Sequence, residues 1–298
     1  MFGLYFFAYF YNFGIYFIKT KEGDYMLERY FDPQLAKKFD EYNLVQEIRI
    51  RSGRKVSVID RTGIHKTDIT FNSVDITKLF SSLCNYSVYA LHEEIKNGFI
   101  TLTDGHRAGF CGRCIVQNGI ITNITDISGI NIRIAREIKG CSENIMKFMD
   151  NGIENMVIIS PPNCGKTTYL RDAIRLVSDS GVQVTVVDER GEISPFYEGS
   201  SVFDMGENTD VMRFCPKAVG MMMVLRTMNP EIVATDEIGT KQDIVSIKEI
   251  CKSGVKIFTT FHGFGVSDFK SRFEEWKTFK YAVVLNRTKE VEELTCLR

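Results

Sequence analysis

The sequence has almost no net charge, no clustered cysteines and only one long uncharged run. Lys and Arg number 37 against 38 Asp and Glu, a formal net charge of -1 over 298 residues. No global field therefore draws the chain to nucleic acid or to an anionic membrane surface. Eight cysteines stand at 84, 111, 114, 141, 164, 215, 251 and 296. They are too dispersed for a disulfide scaffold and suit a reducing compartment. The pair Cys111-Gly-Arg-Cys114 has redox or zinc spacing, but no second pair accompanies it at a matching distance. It reads as small residues in a Gly-rich turn. Internal repeats are absent. Hydrophobic residues at 44% and charged residues at 25% describe an ordinary globular composition, with length for one large or two modest domains.

The uncharged run is FGLYFFAYFYNFGIYFI, residues 2–18, crowded with Phe and Tyr. It is at the short limit for a bilayer span. The basic start and small-residue cleavage site of a signal peptide are missing. From Met26 the sequence turns conventionally amphipathic. Residues 1–25 are expected to be an accessory extension, either translated from upstream of the true start or membrane-associating.

Leu27, Tyr30, Phe31, Leu35 and Phe39 share one helical face, which predicts a helix over 26–45. The short runs EIRIR, KVSVID, GFITLT, AGFCGRCIV and IITNIT predict strands, with VDITKLFSSLCNYSVYAL and HEEIKNG as helices between them. Residues 26–135 thus read as a smaller α+β domain. From 136 to 298 the texture changes. The apolar runs MVIIS, VQVTVVD, EIVATD and VKIFTTF alternate with helical segments at 166–180, 216–228 and 240–253. That is the signature of an α/β domain with a mainly parallel sheet covered on both faces. YAVVLNR and VEELTCL read as terminal strands.

Between the first apolar strand and its helix lies SPPNCGKTT, Ser160-Pro161-Pro162-Asn163-Cys164-Gly165-Lys166-Thr167-Thr168. A phosphate loop is written G-x-x-x-x-G-K-[ST], and Ser160 replaces its first glycine. In such a loop backbone amides and a helix N-terminus face the phosphates. Gly165 allows close approach, Lys166 reaches the β- and γ-phosphates, and the Thr167 hydroxyl serves Mg²⁺. Asn163 tolerates left-handed backbone. Seventy positions past Lys166, EIVATDEIG ends a buried strand in Asp236, expected to hold the metal through water, and Glu237, expected to polarise the attacking water. Asp188, Glu189 and Glu192 follow another apolar strand, at the same predicted sheet edge. His262, in TTFHGFG, is placed to sense the γ-phosphate or to contact a neighbouring segment.

Four motifs in this order resemble the secretion-ATPase branch of RecA-like motors: Walker A, an acidic "Asp box", Walker B and a His box. The segments GFITLTDGHRAGFCGR, ISGINIRIAREIKG and CPKAVGMMMVLRTMNPEIVATDEIG are similar to the stage III sporulation protein AA family of endospore-forming bacteria, from about residue 26 to the end. The resemblance implies a RecA-like P-loop ATPase binding ATP and Mg²⁺ and assembling as a ring, a hexamer. It implies a cytoplasmic, mother-cell-side location, peripheral to the membrane through the membrane proteins of the channel complex between mother cell and forespore, with no nucleic-acid partner. By position, Gly165, Lys166, Thr167 and Thr168 match Walker A, Asp236 and Glu237 Walker B, Glu189 and Glu192 the acidic box, and His262 the His box. Ser160 departs from the family's glycine, Asn163 varies at a variable position, and Arg213 is more basic than the pattern.

Ring motors place nucleotide between subunits, so an arginine must arrive from a neighbour or from the other domain. Arg133 and Arg136 at the domain junction are the first candidates, Arg107 and Arg113 the next. A nucleic-acid motor and a non-catalytic nucleotide-gated scaffold remain alternatives to an assembly ATPase. A small-molecule kinase is disfavoured because no arginine-rich lid pattern follows the sheet.

Overall fold

A computed structural model describes residues 30–42, 44–60, 62–102, 105–149, 152–197 and 200–297. The aromatic stretch 2–18 and the first residues of the expected helix at 26 lie outside them. The chain divides into two compact units. One holds the residues up to Leu102 together with His106–Arg136; the other holds 103–105 and Glu137–Arg298.

The first unit orders as α1 (Pro33–Asp40), β1 (Glu47–Arg51), β2 (Lys55–Asp60), β3 (Gly63–Thr70), α2 (Ser73–Leu83), α3 (His92–Lys96), β4 (Phe99–Thr101), β5 (Arg107–Gln117) and β6 (Ile120–Arg133). Its six strands form an antiparallel sheet in the order β3-β2-β1-β6-β5-β4. Strict alternation in β1 buries Ile48 and Ile50, which join Val56, Val58, Ile76, Leu79, Ile130 and Ile132 in one core. Helix α1 is shorter than expected because Pro33, which lacks an N–H, opens it, and Leu44 adopts positive φ before β1. Helix α2 starts on a capping box, with Asn72 and Asp75 each accepting the other's backbone N–H. It stops at Leu83, not at the expected end of SVYAL, because Asn85 and Tyr86 take positive φ.

Cys111–Cys114 lie within β5, as the strand expected over AGFCGRCIV has it, and not in a Gly-rich turn. Cys111 and Gly129 face each other, and past that point β5 and β6 continue as a two-stranded ribbon closed by Asn118-Gly119, both at positive φ. Arg107 and Arg113 therefore stand on a strand. Arg107 lies 3.6 Å over the Phe99 ring, and Arg113 pairs with Asp126 at 2.8 Å. Extended backbone sets the Cα atoms of two residues three apart roughly 10 Å from each other, too far for a disulfide between Cys111 and Cys114.

The second unit orders as α4 (Glu143–Phe148), β7 (Met156–Ser160), α5 (Lys166–Asp179), β8 (Val184–Asp188), the short pair β9 (Phe196–Tyr197) and β10 (Ser200–Ser201), β11 (Thr209–Arg213), α6 (Lys217–Thr227), β12 (Ile232–Thr235), α7 (Lys241–Lys252), β13 (Lys256–His262), α8 (Val266–Arg272), β14 (Tyr281–Leu285) and β15 (Val291–Cys296). Seven strands run β11-β8-β12-β13-β7-β14-β15, parallel except for the last pair. Both faces of the inner strands β8, β12, β13, β7 and β14 are covered, so these strands are almost wholly buried and mostly apolar. Met156 and Ile158 pack with Leu170, Ala173 and Ile174 of α5. Val157 and Ile159 pack with Met221 of α6, Ile247 of α7 and Phe269 of α8. Strand β11 was not foreseen: at the sheet edge its polar TDVMR carries no apolar run.

Asn155 ties three strands just before β7. Its Oδ1 accepts from Ile257 N (3.0 Å), its Nδ2 donates to the Thr278 carbonyl (2.8 Å), and its own carbonyl accepts from Lys280 and Tyr281. Truncation leaves a buried N–H unsatisfied, so Asn155→Ala should lower stability by about 2–3 kcal/mol. The check is a lower urea midpoint at unchanged m-value; a loss below about 0.5 kcal/mol would remove Asn155 from this role.

Candidate functional site

Four parallel strands, β7, β13, β12 and β8, end at one edge, and the residues that follow them face one another there. Helix α5 leaves β7 through the tight loop Pro161–Gly165. Asn163 (φ 62°) and Gly165 (φ 90°) are left-handed, and Gly165 caps the helix. Ser160 is still strand: it sits in register with His262 of β13 and is fully buried. Its backbone needs no positive φ, so a glycine is not required there. Pro162 and Asn163 are exposed, Cys164 is buried, and Thr167 and Thr168 stand half-buried in the first turn of α5.

The Lys166 ammonium is buried beneath this loop. It donates to the carbonyls of Ser160 (3.2 Å) and Pro161 (3.1 Å) and lies 2.9 Å from His262 Nδ1. Burial holds it below the usual lysine range, at about 8, partly offset by the negative charge of Glu237. With Lys166 donating to Nδ1, His262 Nε2 carries the ring hydrogen and faces Glu237 Oε1 at 3.3 Å. The other Glu237 oxygen is 3.6 Å from Arg190. Lys166, His262, Glu237 and Arg190 thus form one chain of alternating donors and acceptors. Thr260 fixes the backbone that carries Glu237: its Oγ1 accepts from Glu237 N (2.9 Å) and its carbonyl accepts from Ile238 N (3.0 Å).

Asp236 is buried beside it. One carboxylate oxygen lies 3.4 Å from Lys217 Nζ, in ion-pair range but without a hydrogen bond. Burial pushes the Asp236 carboxyl up to about 6; Lys217 lowers it and Asp188 raises it further. Lys217 also donates to the Glu237 carbonyl, and its backbone N–H donates to Glu189 Oε1 (3.2 Å). Glu189 therefore fastens the start of α6. Asp188 is fully buried and accepts from the amides of Glu192, Ile193 and Ser194 at 2.8–3.0 Å, so it shapes the turn that follows β8. Burial still raises its carboxyl above the usual range. Glu192 enters that turn through its N–H, and Arg213 ends β11 in register with Asp188.

The first-choice arginines belong to the other unit. Arg136 donates to the Val45 carbonyl (2.8 Å), and Arg133 lies 3.9 Å from Glu47. Two residues at the edge had no assigned role from sequence, Arg190 and Lys217. Arg190 lies between Glu189 and Glu192 in the sequence, where nothing singles it out. Lys217 precedes an apolar helix, where nothing separates it from a solvated lysine.

Among the described residues no group of three or more His, Cys, Asp or Glu forms a metal cage. The donors at this edge are of another kind. They are a buried carboxylate oxygen without a hydrogen bond, a threonine hydroxyl at a helix start and a left-handed amide loop. That set matches a hard divalent cation shared with phosphate oxygens. No helix among the described residues is long and apolar enough to cross a membrane.

The fold is similar to that of two solved ATPase structures. The pilus retraction motor PilT with bound ADP superposes with a TM-score of 0.60 at 14% identity, over 84% of this chain and 76% of that one. The Legionella pneumophila ATPase DotB does so with a TM-score of 0.56 at 16% identity, over 84% and 74%. The family described as "Sporulation stage III, protein AA" matches residues 24–297, and the chain belongs to it. Stage III sporulation protein AA of Bacillus subtilis (strain 168) is 39% identical over 234 residues, 76% of each chain.

Because the folded Asp236 carboxyl titrates near 6 rather than at its ordinary 3.8, the folded state holds the proton more tightly than the unfolded state. Wild-type stability from this group is fully present below about pH 4 and is lost as pH rises through 6. The stability of Asp236→Asn relative to wild type should therefore rise between pH 4 and 7, by up to about 3 kcal/mol, and level off above. Urea melts across that range test it; a flat difference would show that Asp236 titrates normally.

Proposed function

We propose that the chain hydrolyses ATP with Mg²⁺ at this edge, and that it works as a ring-forming motor or assembly ATPase of the channel complex between mother cell and forespore. The observation that carries the reading is the Lys166–His262–Glu237 chain. A buried lysine, a histidine and a carboxylate follow three adjacent parallel strands, beside a left-handed loop that opens a helix. Family membership and the likeness to secretion ATPases support it.

Each residue then has one task. The loop amides and the N-terminus of α5 face the phosphates. Lys166 gives up the carbonyls of Ser160 and Pro161 for phosphate oxygens, an exchange favoured because the ammonium is poorly hydrated where it lies. Thr167, through its hydroxyl, and Asp236, through water, would hold Mg²⁺, which would neutralise charge on the phosphates. Glu237 accepts a proton from the attacking water, and His262 orients it from Nε2. Glu189 and Glu192 support this edge from the turn after β8. The guanidinium that completes the site comes from a neighbouring subunit. Arg133 is the first candidate, because its side chain is 56% exposed; Arg136 is the second. Turnover without partners is slow.

Lys166→Ala should abolish binding of a fluorescent ATP analogue. Glu237→Gln should bind it normally while phosphate release falls at least about 100-fold. Normal hydrolysis by Glu237→Gln would defeat the assignment. Normal binding with no hydrolysis in the wild type, with or without membrane fractions, would point instead to a nucleotide-gated scaffold.

A further inference from the structure

Helix α6, KAVGMMMVLRT, is apolar on both sides. Its inner side, Gly220, Met221 and Val224, packs against the sheet. Its outer side carries Val219, Met222, Met223 and Arg226 at i, i+3, i+4 and i+7. Val219 is 55% exposed and Met223 48%. A helix that is hydrophobic all round is normally covered on every side. Beside it, α7 contributes Lys241, Gln242 and Val245, with Val245 61% exposed. Together the two helices line a groove of about 510 Å³ whose surface is almost wholly apolar.

The charges on the groove have one sign. Arg226 and Lys241 line it, and no carboxylate does. Neither cation has an ion pair or side-chain hydrogen bond among the described residues; the nearby Asp243 is buried and caps α7. The two methionines give the floor an adaptable surface. A groove between two helices takes a third helix, anchored at i, i+3, i+4 and i+7. Two unpartnered cations at its rim call for carboxylates flanking that apolar stripe.

The groove is also joined to the sheet edge. Lys217, the first residue of α6, touches Asp236 and the Glu237 carbonyl, and its N–H is held by Glu189. Thr240, three residues past Glu237, caps α7. Any shift of α6 against α7 reaches both acidic residues through one or two side chains.

We propose that the α6–α7 groove docks an amphipathic helix of a partner protein, apolar on one face and flanked by carboxylates, and that docking there adjusts Lys217, Asp236 and Glu237. The docking half stands on the groove alone. The adjustment half rests on the proposed ATPase reading.

The probe is a labelled 18-residue helical peptide with leucines at i, i+3, i+4 and i+7 and glutamates on both flanks, with a lysine-flanked twin. The full chain should bind the glutamate peptide at least about tenfold more tightly than the twin. Val245→Asp should abolish binding. The double variant Arg226→Glu with Lys241→Glu should reverse the preference. All three positions are exposed, and unchanged thermal melts would show that the variants fold. Equal binding of the two peptides, or none, overturns the docking half. So does a fall in oligomeric mass of Val245→Asp without peptide, which would give the groove to a second copy of the chain. In the coupling arm the glutamate peptide should raise phosphate release severalfold in wild type and not in Val245→Asp. If wild-type release is measurable and unmoved by bound peptide, coupling is wrong. If no release occurs at all, the ATPase reading fails and docking is judged by binding alone.

Discussion

Two ammonium groups, Lys166 and Lys217, are buried at the carboxyl edge of the parallel sheet, and the arrangement around them follows from the need to compensate them. A buried charge left without a partner costs several kcal/mol. Lys166 is satisfied by two loop carbonyls and a histidine, Lys217 by Asp236 and a backbone carbonyl. Those partners come from three different strand ends, so they meet only if the strands end level. The register supplies this: His262 stands opposite Ser160, and Thr235 Oγ1 donates to the Val187 carbonyl across β12 and β8. The compensation of Lys217 is incomplete, since one oxygen of Asp236 keeps no hydrogen bond.

The acidic residues after β8 look alike in sequence and separate in space. Asp188 is spent on three amides of its own turn, Glu189 fastens a helix, and the side chain that reaches Glu237 from this segment is basic, Arg190. What a linear motif groups as one box the fold uses as a brace, a cap and a counter-charge.

Legibility from sequence followed burial. Strands covered on both faces betray themselves as unbroken apolar runs, and β7, β8, β12 and β13 were each visible that way, as was the loop between β7 and α5. Strands β3 and β11 bury little and were invisible. The outer half of β5 is exposed along its length, so CGRC could be read both within the strand AGFCGRCIV and as a turn. Helix ends were missed where single residues took positive φ, at Leu44 and at Asn85-Tyr86. At the site, the sequence placed Lys166, Asp236, Glu237 and His262 after apolar strands, which put them at one edge. The contact between Lys166 and His262, and the whole role of Lys217, depend on strand order, which sequence periodicity does not contain.

Strand order also has a consequence during synthesis. Strand β7 emerges from the ribosome first among the seven of its sheet, yet both its neighbours, β13 and β14, are translated among the last. At about 5–20 residues per second the nascent chain waits on the order of ten seconds between them. Through that interval an apolar strand and the loop that follows it have no flanking pairs, and the lysine beneath the loop has no histidine. Nascent chains short of β14 therefore offer a hydrophobic edge to chaperones.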